Sequence, residues 1–315
     1  MSLRLPLLST VVALALFSMA NAAEFEVTQQ KDGLTVLHDG KLLTRYLIKS
    51  GSKPILWPVM GPNGNPITRG YPMQDASEGE KADHPHHRSF WFTHGEVNDT
   101  DFWAEGNSKC GQIVHQKFEK VTGGKQATIV SINNWVDKDN KTICQDKRTL
   151  VFGVDQGNRY IDFTVTVNAV DEPVEFRDTK EGSFGMRIAG TMKVESDKGG
   201  TIINNHGQTN KDAWGQQASW VDYYGPVKGK TVGIAIFNHP SSFRYPSYWH
   251  VRTYGLFAAN VFGLHHFKGD DTQDGSHLLK QGEPMTFRYR VLFHQGDNKE
   301  AKVAESFQRY AKTSP

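Results

Sequence analysis

The chain has 315 residues, of which 37% are apolar and 22% charged, with a formal net charge of +2. That balance suits a soluble globular protein, and the scattered basic residues exclude the electrostatic footprint that nucleic acid or anionic lipid requires. Beyond residue 22 no stretch reaches the ~20 consecutive apolar residues of a spanning helix.

In chain order, residues 1–22 come first, with Arg4 near the start, an apolar run over 11–17 and Ala20-Asn21-Ala22 at the end. This is the order of a secretory signal peptide cleaved before Ala23, so the expectation is a periplasmic or secreted protein. Residues 23–315 are then expected to form one domain. Short alternating or β-branched runs follow at 24–28, 34–38, 126–135, 148–153, 160–167, 231–237 and 286–293. Turn pairs such as Asp32-Gly33, Asp39-Gly40, Asn63-Gly64 and Gly157-Asn158 punctuate the chain. Period-two alternation between closely spaced turns predicts an all-β, antiparallel sandwich. Within 160–167, Ile161, Phe163, Val165 and Val167 share one face. Only 299–311 has a helical stripe, made of Val303, Phe307 and Tyr310. Residues 60–82 and 265–277 are long irregular stretches, which in compact domains usually serve function.

Cys110 and Cys144 are the only two cysteines. In an oxidising compartment they are expected either as a disulfide or as two buried thiols. Their spacing is not that of a cysteine metal site.

The densest chemistry lies at 83–94, Asp83-His84-Pro85-His86-His87-Arg88-Ser89-Phe90-Trp91-Phe92-Thr93-His94. Buried imidazole and guanidinium must be hydrogen-bonded, so such a segment beside large rings reads as the floor of a site. Taken as extended, it places His84, His86, Arg88 and His94 on one face, with His87 and Trp91 on the other. His84-x-His86 with His94 would suit a metal, but the permanent charge of Arg88 on the same face opposes a dication. No cofactor is therefore expected, with a metal as the alternative. Without one, His84, His86 or His87 serves as acid or base, paired with the carboxylate of Glu181, which enters an apparent strand ending at Arg187. Trp249-His250-Val251-Arg252 repeats the mixture of ring, imidazole and guanidinium. There His250 and Arg252 share a face, and Trp249 turns the other way. Trp214 and Asn260 are further wall candidates.

Asp83-His84-Pro85-His86-His87-Arg88, Phe90-Trp91-Phe92, Asp101-Phe102-Trp103, Lys180-Glu181-Gly182, Trp249-His250-Val251-Arg252 and 254–260 together resemble the PmoA-like family of secreted bacterial proteins. The likeness extends to 289–294. It implies a supersandwich similar to galactose mutarotases and a setting in polysaccharide degradation. The oxygenase label attached to that family does not transfer, because a membrane monooxygenase subunit needs spanning segments. The chain departs from the family pattern at Val261, where members carry proline.

Taken together, these readings predict a carbohydrate-active protein working on a sugar or uronic acid by His/Glu chemistry: mutarotation or epimerisation, β-elimination, or hydrolysis. Arg88, Trp91, His94, Arg187, Trp249, His250, Arg252 and Asn260 are the expected substrate contacts, and the expected partner is a small molecule or oligosaccharide. A non-catalytic glycan-binding module and a metalloprotein with a cupin-like site are the alternatives.

Overall fold

The computed structural model describes residues 24–314, so the expected signal peptide lies outside the described residues. Two eight-stranded antiparallel sheets carry the chain. The first runs through Phe25–Gln30, Gly33–His38, Lys41–Ser50, Lys53–Val59, Phe90–His94, Gly182–Arg187, Leu256–Asn260 and Tyr248–Val251. The second runs through Thr201–Asn204, Trp220–Val227, Lys230–Asn238, Met285–Gln295, Asn158–Ala169, Thr142–Asp155, Ala127–Val136 and Gln112–Thr122. A smaller sheet joins His277–Leu279, Val174–Phe176, Glu96–Val97 and Thr100–Asp101. Among the described residues no helix is long and apolar enough to cross a membrane.

Alternation builds the layers. In Asn158–Ala169, Ile161, Phe163, Val165 and Val167 are all buried, and so are Val291, Tyr289 and Phe287 opposite the first three. They form one core with Phe90, Phe92, Phe184 and Trp249 of the first sheet, as same-face strand positions should. The hairpin between Gly33–His38 and Lys41–Ser50 turns on Asp39 and Gly40, both left-handed at φ 50° and 69°. That is the two-residue geometry Asp-Gly favours. The expected C-terminal helix is Val303–Tyr310, packing Val303, Phe307 and Tyr310 on Phe237 and Leu292. The architecture is thus the all-β antiparallel sandwich with a short terminal helix that the patterning predicts.

The structure does not contain the disulfide. Cys144 points into the apolar core between the sheets, while Cys110 sits in a loop bridged to Asp101, and both are free thiols.

The outer face of the first sheet positions the site. Strand register sets Trp91, Gly185, Ala258 and His250 side by side across four strands. The small residues between indole and imidazole make room for the Trp91 ring, which lies over Gly185. The neighbouring inward row is Phe92, Phe184, Ala259 and Trp249. A Cβ on Gly185 would lie 2.7 Å from the Trp91 ring. We therefore expect Gly185→Ala to destabilise the fold by about 1–3 kcal/mol through overpacking, read from denaturant midpoints. Gly185→Val should cost more.

Candidate functional site

Residues 83–89 form turns rather than a strand, and the strand begins at Phe90. The His87 amide donates to the His84 carbonyl at 2.9 Å, and Pro85 occupies the second turn position, where its locked φ is favoured. His84 itself has a positive φ of 44°. This corrects the extended reading: His86 and His87 do not part to opposite faces. Instead the rings pile up, with His87 parallel to Trp91 at 5.5 Å and to His84 at 4.8 Å. His84 in turn stacks on Tyr254 at 5.7 Å, and His86 meets His87 edge-on at 4.5 Å.

Two arginines hold this turn from below. Buried Arg69 donates through Nη1 to the Asp83 carbonyl at 2.9 Å and carboxylate at 2.8 Å, and through Nη2 to the carbonyls of His84 at 2.8 Å and His87 at 3.2 Å. Arg187 donates Nη1–H to His87 Nδ1 at 3.0 Å and Nη2–H to Asp83 at 3.3 Å, with its guanidinium 4.6 Å over Tyr254. Guanidinium only donates, so His87 carries its own proton on Nε2. Burial pulls the Arg187 pKa down to about 10, with Arg69 adding repulsion, and it remains cationic at neutral pH. Burial alone would raise the Asp83 pKa, but Arg187, His84 and Arg69 more than offset it, and the net shift is downward.

The opposite wall is loop 177–181, whose carbonyls are taken one after another. Arg177 O accepts from His94 Nε2 at 2.8 Å, Thr179 O from Asn260 Nδ2 at 2.7 Å, Lys180 O from His250 Nδ1 at 3.0 Å, and Glu181 O from the Gly95 amide at 2.6 Å. The Glu181 carboxylate accepts from Thr179 Oγ1 at 2.7 Å and lies 3.6 Å from Lys180 Nζ. Since His250 spends Nδ1–H on a carbonyl, its Nε2 lone pair is left for the pocket.

Between the walls is a cavity of about 560 Å³ lined by His84, His86, His87, Trp103, Glu181, Trp214, His250, Arg252 and Tyr254, among others. Burial lowers the pKa of His86 to about 4 and of His250 to about 3, and takes His87 well below its ordinary value. The imidazoles are therefore neutral at pH 7. Arg252 lies 5.7 Å over both Trp214 and Tyr254 and, among the described residues, makes no ion pair.

Of the expected site residues, the fold brings His84, His86, His87, Glu181, His250 and Arg252 to this one cavity. Arg187 supports it from beneath. Trp91 is buried under His87, and Trp249 faces the core because it alternates with His250. His94 faces inward against Phe176 and Phe262, so His84, His86 and His94 do not form a ligand set. Asn260 is buried on loop 177–181. Arg88 points away from the cavity into a bidentate pair with Glu105, which also accepts from buried Lys53 at 3.0 Å. One carboxylate thus serves two cations, and the Arg88 guanidinium is turned away from the cavity.

Sequence reasoning missed Arg69, Glu105 and Lys53, whose only signal was position in or near an irregular stretch. It quoted Trp103 and Tyr254 within motifs without giving them a role. It also missed that Asp178, His265 and His266 bring three ligand atoms within 4.8 Å of one another.

Residues 33–308 match the model of a family of unknown function, DUF6807, and the chain belongs to that family. No curated protein matches it. Among solved structures it is similar to an α-galactosidase from Lactobacillus brevis, at 11% identity and TM-score 0.42, with 91% of this chain and 42% of that one covered. The galactosidase domain of an α-galactosidase-sucrose kinase gives 10% and 0.45, with 86% and 42% covered. A galactose mutarotase-like protein from Clostridium acetobutylicum gives 10% and 0.38, with 87% and 99% covered. The chain thus spans about two fifths of the galactosidase chains, at 42% in both.

Two outcomes follow from the geometry. Arg69→Ala removes the donor from the carbonyls of Asp83, His84 and His87, while the Asp83 carboxylate keeps Arg187, and should cost about 1–3 kcal/mol in unfolding free energy, as buried acceptors left unsatisfied do. Burial also holds His94 at about 4, beside His86 at about 4 and His250 at about 3, all below the unfolded value near 6.5. Their contribution to stability is full above pH 6.5 and is lost as pH falls through about 4 to 3, because the unfolded chain binds the protons first. Melting temperature measured against pH should show this decline. His94→Gln, which keeps a donor for Arg177 O, should flatten it.

Proposed function

We propose that this DUF6807 family member is a periplasmic or secreted carbohydrate-active protein that binds a sugar or uronic acid in the cavity between His86, Glu181 and His250. His86 and Glu181 form the acid–base pair. The observation that carries the reading is one cavity in which imidazoles with opposite hydrogen-bonding sense, a carboxylate, an unpaired guanidinium and three aromatic walls meet. His87 offers Nε2–H to a ligand hydroxyl and His250 offers the Nε2 lone pair, so together they orient a polyol. Trp103, Trp214 and Tyr254 supply apolar faces with polar edges. Arg252 anchors a carboxylate, with its aromatic neighbours holding the guanidinium in place.

Among the described residues the His86 ring has no hydrogen-bond partner, and burial, which lowers its pKa to about 4, leaves it unprotonated at neutral pH. It acts as the base toward a ligand C–H or O–H, and Glu181 across the cavity is its counterpart. Mutarotation or epimerisation, β-elimination and hydrolysis all use such a pair. The PmoA-like resemblance belongs to this reading as a likeness of motifs, without oxygenase chemistry.

A screen of sugars and uronides by NMR, for anomeric exchange, new unsaturation and released reducing ends, tests the proposal. Turnover by the wild type that His86→Ala and Glu181→Gln each lower by about 10²-fold or more is expected for acid–base residues. Its acid limb should lie near pH 4. Binding without turnover in every protein would instead make the domain a glycan-binding module. In titrations, Arg252→Ala should weaken a uronate by about 1.5–3 kcal/mol, the range for hydrogen bonds to charged groups, and affect the matching neutral sugar far less.

A further inference from the structure

Asp178, His265 and His266 lie outside the acid–base pair and have an unfinished hydrogen-bond account. The Asp178 side chain is only 8% exposed. Its Oδ2 is occupied, accepting from the backbone amides of His265 at 3.0 Å and Gly275 at 2.6 Å. Its Oδ1 is buried with no hydrogen-bond partner, although His265 Nδ1 is 2.7 Å away. The ring nitrogen and the oxygen are thus close without the alignment of an N–H···O bond. His266 Nδ1 is likewise buried and unpartnered, with its ring centroid 3.8 Å from that of His265. Two buried polar atoms left without partners in one cluster form an arrangement that costs stability in a folded protein.

A dication completes the account. From these contacts we infer that Asp178 Oδ1 and one nitrogen each of His265 and His266 form a binding site for a divalent first-row transition ion of the zinc type. Two imidazoles and one carboxylate suit such ions, and three protein ligands leave positions open for water or a ligand oxygen. Support behind the ligands is in place. The two amides on Oδ2 orient the carboxylate, while the carbonyls of the residues before and after Asp178 are held by His94 on Arg177 O and Asn260 on Thr179 O. Such outer partners are what fixes a ligand for a metal. His266 also lines the cavity beside Lys180 and Glu181. The ion would therefore stand at the Glu181 wall, where its charge offsets the carboxylate and can draw a ligand oxygen. The His84/His86 turn is a separate structure, stacked on Trp91 and Tyr254.

The test is metal binding itself, with no activity needed. Protein stripped with chelator and dialysed is titrated with Zn²⁺ by calorimetry and with Co²⁺ by visible absorption, and its melting temperature is followed. One equivalent bound, with a rise in melting temperature, is expected. His265→Ala and His266→Ala should each weaken binding by about ten-fold or more, and the double variant should abolish it while keeping the far-UV circular dichroism of the wild type. Asp178→Asn, which retains an oxygen for the two amides, separates loss of the ligand charge from loss of the loop and should also bind poorly. Sub-stoichiometric binding by the folded wild type overturns the inference. So does binding that survives in His265→Ala/His266→Ala, or that disappears in His84→Ala/His86→Ala instead.

Discussion

The burial of Arg69 is the constraint on which the site depends. Arg69 is 1% exposed, so its protons need acceptors, and its two Nη groups find them in the backbone and carboxylate of 83–87, with Nε left without a partner among the described residues. Those acceptors converge only when the chain turns at Pro85, which stacks His87 and His84 in a column between Trp91 and Tyr254 and sets His86 edge-on against it. An extended segment would have scattered them over two faces. The histidine cluster is thus a product of a cation some fifteen residues upstream in an irregular loop.

The facing wall follows the opposite arrangement. In 177–181 the backbone supplies acceptors, and buried His94, Asn260 and His250 reach in to satisfy them. Loop carbonyls withdrawn from water need such partners. Two side chains expected to touch a ligand, His94 and Asn260, are therefore positioning groups, and what they position is Glu181 and Asp178. His250 holds Lys180 O through Nδ1 and leaves its second nitrogen at the cavity.

Size alone would have pointed elsewhere. A cleft of about 1310 Å³ beside the C-terminal helix and another of about 600 Å³ near Trp57 and Lys198 are both larger, yet neither gathers imidazoles, a carboxylate and rings from distant segments. Chemistry selects the smaller cavity. Its electrostatics also differ from a surface reading of the sequence, since Arg88 turns away to share Glu105 with Lys53. Among the described residues Arg252 makes no ion pair at the cavity.

Alternation in the sequence was enough to determine the all-β sandwich, the shared burial of Ile161, Phe163, Val165 and Val167, and the opposite orientation of Trp249 and His250. Each depends on local period-two geometry. The terminal helix and the region of the site were legible for the same reason. Tertiary structure decided the rest. The turn at 83–87, the pairing of Arg88 with Glu105, the inward orientation of His94 and the separation of Cys110 from Cys144 all depend on which distant groups arrive to satisfy or exclude a polar atom. No local pattern encodes that accounting, because a buried arginine and its acceptors, or a loop carbonyl and its donor, are joined only when the sheets close.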